Sequence, residues 1–183
     1  MSEQPFTTPP RLETERLILR PHRYADFPIY EAMFQHPDFT RYTTGQPLPR
    51  EDAWNKMIRH GGHWAMLGHG YWAIEDKASG DFIGEIGLAD FKRAVTPSLD
   101  SMLEAGWGLV ANAQGKGYAG EALRAILVWA RTHFPAREIV CMIDPENGPS
   151  IKLAEKNGFH FWSTAKYKQY DTVLYKHNQK IDV

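Results

Sequence analysis

Between Tyr118 and Phe134 the apolar residues Ala119, Ala122, Leu123, Ile126, Leu127, Ala130 and Phe134 return every three or four positions, the period of one helix face. Elsewhere the pattern shortens. Leu17 and Leu19 alternate within residues 16–20 and predict a first strand, closed by Pro21. Asp26 is placed to cap a helix reaching about His36, with Phe27, Tyr30, Met33 and Phe34 on one face. After a loop at 45–49, Arg50 or Glu51 opens a second helix that turns Trp54, Met57 and Ile58 inward and is expected to fray at Gly61-Gly62. Strands follow at 71–74 and 82–91, joined by a turn at Lys77-Ala78-Ser79-Gly80. A connection at 92–99 leads to a strand at 102–110. Beyond the long helix come a buried strand at 138–143, a short helix from about Pro149 that stops at Asn157-Gly158, and an antiparallel pair at 159–167 and 170–177. The order predicts one α+β domain over residues 12–178, with a central mixed, mostly antiparallel sheet flanked by helices, after a flexible lead at 1–11.

The long helix opens on Gln114-Gly115-Lys116-Gly117-Tyr118-Ala119-Gly120, directly after the strand. The first amides of a helix have no partner inside it, and its dipole is positive there, so such a turn suits a phosphate. Gly115 and Gly117 allow positive φ and close approach to the backbone. Read literally, Gly115-x-Gly117-x-x-Gly120 also fits a dinucleotide-binding turn, and Glu138 stands near the distance at which such folds carry an acidic residue. No Lys-Ser/Thr follows the glycines where a P-loop requires it.

Gln114-x-x-Gly117-x-Ala119 resembles the Q/R-x-x-G-x-G/A signature of the GNAT N-acetyltransferase superfamily. Asn147-Gly148-Pro149-Ser150 followed by Glu155-Lys156-Asn157-Gly158-Phe159 is similar to a second segment of that family. Thr14-Glu15-Arg16-Leu17-Ile18-Leu19-Arg20 resembles the opening strand of the branch that acetylates ribosomal-protein N-termini. The resemblance runs from about Leu12 to His177 and implies the GNAT fold, with splayed strands at the donor site. It also implies transfer of an acetyl group from acetyl-CoA to an amine, either a protein N-terminus or a small molecule, by direct attack in a ternary complex.

Composition narrows the partners. A net charge of −1 over 183 residues argues against nucleic-acid binding by a basic face. The lone cysteine, Cys141, excludes an internal disulfide and fits a reducing compartment. No long apolar stretch suggests a membrane span, so a cytoplasmic location is expected, as a monomer or homodimer. His60, His63 and His69 lack Cys, Asp or Glu at zinc-ligand spacing, and no metal is expected.

The resemblance also assigns roles. The amides of Gln114, Gly115, Lys116, Gly117, Tyr118, Ala119 and Gly120 would hold the donor's diphosphate, and the backbones of Leu109 and Val110 its pantetheine arm. Asn147 would bind the pantetheine arm or the substrate amide and is counted with Glu104 and Ser150 among the catalytic candidates. Glu104, on the strand before the glycines, would take the proton of the attacking amine, with Glu85 as second candidate. Ser150 or Tyr175 would assist the leaving thiolate, because Ala154 stands where many members carry a tyrosine. Gly106 and Gly108 weaken a strand, and the same reading takes them as a place where the arm approaches. Two rivals remain at this point: a CoA-binding module without turnover, which predicts an exposed, unpaired Glu104, and a dinucleotide-binding oxidoreductase.

Overall fold

The computed structural model describes residues 6–177. Its strands are β1 (Leu12–Glu13), β2 (Leu17–Arg20), β3 (Tyr71–Asp76), β4 (Phe82–Ala89), β5 (Leu103–Leu109), β6 (Ile139–Ile143), β7 (Phe159–Tyr167) and β8 (Tyr170–His177). Its helices are α1 (Phe27–Gln35), α2 (Pro37–Thr40), α3 (Arg50–Leu67), α4 (Tyr118–His133) and α5 (Gly148–Lys156). All eight strands form one sheet in the order β1-β2-β3-β4-β5-β6-β8-β7. Every neighbouring pair is antiparallel except β5 and β6, which a crossover through α4 makes parallel.

Each face of the sheet has its own cover. Leu17, Leu19, Ile74, Ile86, Leu88 and Leu103 meet Ala122, Leu123, Ile126 and Ala130 of α4. The side chains that give α4 its period are therefore the ones it buries. On the other face Phe27, Tyr30, Met33 and Phe34 of α1 and Met57 of α3 pack with Ala73 and Phe82. Among the described residues no helix is long and apolar enough to cross a membrane.

Several local expectations change: Asp26 makes no side-chain cap to α1 and pairs with Arg20 instead, and Ile58 is 49% exposed and not turned inward. α3 does not fray at Gly61-Gly62 but runs on to Leu67. Both glycines face open space. One turn later Trp64 is fully buried and its Nε1 donates to the Tyr71 carbonyl at 3.0 Å. Burying that indole outweighs the roughly 1 kcal/mol that each glycine costs a helix. The helix stops instead at Gly68, whose φ of 70° provides the left-handed cap. Of the expected lead at 1–11, residues 1–5 lie outside the described residues, as does residue 178 at the expected end of the domain. Within the lead, the Pro10 carbonyl accepts from Trp72 Nε1 at 2.8 Å, and the Phe6 ring lies 5.7 Å from that of Trp129.

Candidate active site

β5 and β6 pair only at Leu103↔Ile139 and Glu104↔Val140. Beyond that point β6 stays with β8 while β5 stays with β4, so the sheet opens. The Leu103 N–H donates to the Glu138 carbonyl on the β6 side, and the Val110 N–H to the Ile83 carbonyl on the β4 side. Strand alternation therefore turns the amides of Trp107 and Leu109 toward the opening. Val110 requires a correction: Ile83 takes its N–H, and its carbonyl accepts from Ala113, so its backbone is engaged within the protein. Of the two residues expected to hold the arm, Leu109 alone turns an N–H to the gap. Gln114 shapes the same edge by donating its Nε2 to the Leu109 carbonyl at 3.0 Å.

The turn into α4 sits at the mouth of this opening. Gly115 and Gly117 have φ of 74° and 82°, the left-handed region that favours glycine. The amides of residues 115–120 find no acceptor among the described residues. Gly120 has a different reason to lack a Cβ: one would stand 3.3 Å from Arg124 Nη1 and 3.5 Å from Leu153 of α5. The Tyr118 hydroxyl donates to Asp76 at 3.3 Å, Ala119 is half-buried, and Lys116 is exposed.

A latch that the sequence reading missed fixes this turn. Glu121 accepts from the Thr14 hydroxyl at 2.6 Å, the Arg16 amide at 2.8 Å and Arg16 Nε at 2.7 Å, while Arg16 Nη1 donates to the Lys116 carbonyl. Burial opposes the Glu121 charge, but these donors outweigh it and hold the carboxyl below its ordinary range. The visible signal was an acidic residue in the first turn of α4.

Asn147 and Ser150 both reach the gap, with structural duties of their own. Asn147 caps α5, its Oδ1 accepting from the Ser150 amide at 3.2 Å. Ser150 Oγ accepts from Trp107 Nε1 at 3.3 Å, so the indole reaches from β5 to α5. Ala154 is fully buried in α5, and Tyr175 is 7% exposed on β8. Cys141 is buried, and burial pushes its thiol far up, which leaves it a core side chain.

The opposite face carries charge. Glu104 is 8% exposed and takes a bidentate pair from Arg93, with Nε at 2.7 Å and Nη2 at 2.8 Å. To accept a proton, as the resemblance implies, Glu104 must use a lone pair that the guanidinium leaves open. Glu85 lies 2.8 Å from His60 Nε2 and 3.5 Å from His22 Nε2, with the Tyr30 hydroxyl donating at 3.5 Å. Burial would raise Glu85, but the imidazoles and the Lys56 ammonium outweigh it and hold the carboxyl well below the usual range. Burial pushes His60 down to about 4. His22, His60 and Glu85 are the one set among the described residues with a metal-ligand composition. Their imidazoles stack at 22° and 4.8 Å, and both Nε2 atoms face the same Glu85 oxygen. His63 and His69 lie apart from this set, bonded to the Asp90 and Leu88 carbonyls.

Gly106 and Gly108 do not make room for a ligand. A Cβ on Gly108 would stand 2.6 Å from the Phe39 ring, and one on Gly106 would land on the Tyr71 hydroxyl. The expected approach is real, but the approaching groups belong to this chain.

The Acetyltransferase (GNAT) domain family matches residues 16–160. The Bacillus subtilis (strain 168) protein YkkB is 29% identical over 163 residues, 85% of this chain and 88% of that one. The acetyltransferase from Agrobacterium tumefaciens str. C58 superposes with a TM-score of 0.80 at 30% identity, over 93% of this chain and 95% of its own. RimL, a ribosomal L7/L12 alpha-N-protein acetyltransferase solved with coenzyme A, shares the fold at a TM-score of 0.71 and 13% identity, over 92% of this chain and 97% of its own.

Proposed function

The chain belongs to the GNAT acetyltransferase family, and we propose that it transfers an acetyl group from acetyl-CoA to an amine, a protein N-terminus or a small molecule, by direct attack. One observation carries the donor assignment. The amides of residues 115–120 have no acceptor among the described residues, and they follow in the chain on the N–H groups of Trp107 and Leu109 that alternation turns toward the gap between β5 and β6. The turn amides suit a diphosphate, and the strand amides suit an arm with amide carbonyls. Lys116 and Tyr118 flank the turn, while Asn147 and Ser150 border the far side of the gap.

The donor arrives already activated as a thioester, so the protein's work is orientation, charge placement and proton removal. The acceptor would come from the face of α1 and α3, where Glu85 and Glu104 put two carboxylates near the opening. Glu104 is the proton acceptor in this reading. It forms the last β5–β6 pair, and Arg93 fixes its orientation. RimL's action on a protein N-terminus is what favours the same acceptor here. A binding module without turnover calls for an exposed, unpaired Glu104, contrary to its burial and its ion pair. An oxidoreductase would need Glu138 at the turn, whereas its carboxylate meets Lys176 at 3.0 Å.

Thermal denaturation with acetyl-CoA or NAD tests the donor. Acetyl-CoA is expected to raise the midpoint and NAD to leave it unchanged. Gly117→Val should abolish the acetyl-CoA shift, at a stability cost of about 1–2 kcal/mol from the left-handed backbone. Lys116→Glu, on an exposed side chain, should weaken it without strain. A stabilisation by NAD alone, or one that survives both substitutions, defeats the assignment.

A further inference from the structure

Tyr71 lies opposite Gly87 on β4, and Gly87 lies opposite Gly106 on β5. The tyrosine ring spans both strands across this row. A Cβ on Gly87 would collide with Cα and Cδ2 of Tyr71, and one on Gly106 with the hydroxyl. Neither glycine has a positive φ, so the backbone itself would accept other residues. What these positions supply is the missing side chain, a cleared path that carries one hydroxyl from β3 to β5.

The path ends at the opening. Gly106 stands two residues beyond Glu104, the last residue of β5 paired with β6. Tyr71 is 8% exposed, and its hydroxyl has no hydrogen-bond partner among the described residues. The nearby carboxylates are committed elsewhere, Glu104 to Arg93 and Glu85 to the histidines. The His60 ring stacks on the tyrosine at 4.8 Å and 17°, and Phe91 lies against it at 6.2 Å. A hydroxyl fixed in place on a buried ring, itself still accessible and lacking an acceptor among the described residues, has room for one that arrives with the substrate.

We propose that the Tyr71 hydroxyl is a catalytic group that donates a hydrogen bond to the carbonyl oxygen of the acetyl thioester held at the opening. The inference rests on the donor reading above. Burial, reinforced by the charges of Glu85 and Glu104, pushes the phenol far above its ordinary range and keeps the O–H intact. Tyr71 therefore polarises and does not ionise. As the amine nitrogen bonds to the carbonyl carbon, negative charge grows on the oxygen and the O–H bond to it strengthens. The carbon–sulfur bond then breaks, the thiolate leaves with its electron pair, the amine proton passes to Glu104, and Tyr71 retains its own proton. This donor acts on the oxygen, so it complements the tyrosine missing at position 154 and does not replace it.

The test uses the full chain with acetyl-CoA carrying ¹³C at the thioester carbonyl, without amine, and reads the bound carbonyl stretch by infrared difference spectroscopy. Wild type should lower the stretch on binding. Tyr71→Phe, which keeps the ring over both glycines, should return it toward the solution value while donor affinity stays within about twofold. With an acceptor present, kcat should fall about 10²–10³-fold with little change in KM for acetyl-CoA. Gly106→Ala, which crowds the hydroxyl, should move the band in the same direction. An identical bound stretch in wild type and Tyr71→Phe overturns the proposal and leaves the donor reading standing. Failure of wild type to bind the labelled thioester overturns both.

Discussion

The two faces of the sheet are built by different means. The α4 face is apolar side chain against apolar side chain, and what it offers a ligand is backbone: the turn at 115–120 and the edge of β5. The α1–α3 face buries Arg20, Asp26, His60, Glu85 and Glu104, and what it offers is side chains. Backbone recognition needs only conformation, so a short glycine-bearing segment encodes it. Side-chain recognition draws residues from β2, β3, β4, β5 and α3, each held by partners on another element.

The sharpest way to break this contrast is to remove one partner of a buried pair. Arg20 gives Asp26 a bidentate pair at 2.8 Å, and both side chains are almost wholly buried. Asp26→Ala should cost up to about 3–5 kcal/mol in urea denaturation at neutral pH, because it removes the bidentate partner of a buried guanidinium and leaves it Glu75 as its remaining buried carboxylate. Burial opposes the Asp26 charge, but Arg20 and the Arg23 amide outweigh it and lower its pKa. Its stabilisation is therefore complete above the unfolded value of about 3.9 and is lost as pH falls through the lower folded value. The gap between wild type and variant should narrow in acid, and a gap that holds constant down to acid unfolding would show that the pair's charge is not what stabilises.

Next in size is the rate. Glu104→Gln should lower kcat/KM about 10²–10⁴-fold and flatten the dependence on pH where the amine loses its proton. A wild-type profile would remove Glu104 as base and leave it as a partner for Arg93. The smallest effect belongs to the surface. Arg41 and Glu146 approach to 3.7 Å with both side chains largely exposed, so Arg41→Ala should change stability by less than about 1 kcal/mol. A larger loss would mean that the segment over the acceptor face is braced by more than packing.

The same contrast explains what could be read in the chain. The glycine turn before α4 was legible because its signal is contiguous: strand, glycines, then a helix of clear period. The order of elements was legible for the same reason, apart from β1 and α2, which are too short to show a period. Glu104 could be placed on its strand, but nothing in the spacing announces that Arg93, eleven residues earlier in a loop, will grip it. Gly106 and Gly108 gave a true signal of close approach with the wrong visitor, since only the assembled fold reveals that Tyr71 of β3 and Phe39 of α2 fill those sites. Tyr71, His22 and His60 carry no local pattern, and their grouping with Glu85 exists only once β2, β3, β4 and α3 are assembled.

The Trp107 indole, held to Ser150 at the gap, gives the protein a built-in optical probe. An occupant threading between β5 and α5 alters the polarity around this indole, while Trp64, Trp72 and Trp129 cluster together at the end of α3 and stay shielded. A ligand bound there is expected to shift the emission of Trp107 over the background of the partly buried Trp54 and Trp162, with no label attached and before any chemistry begins.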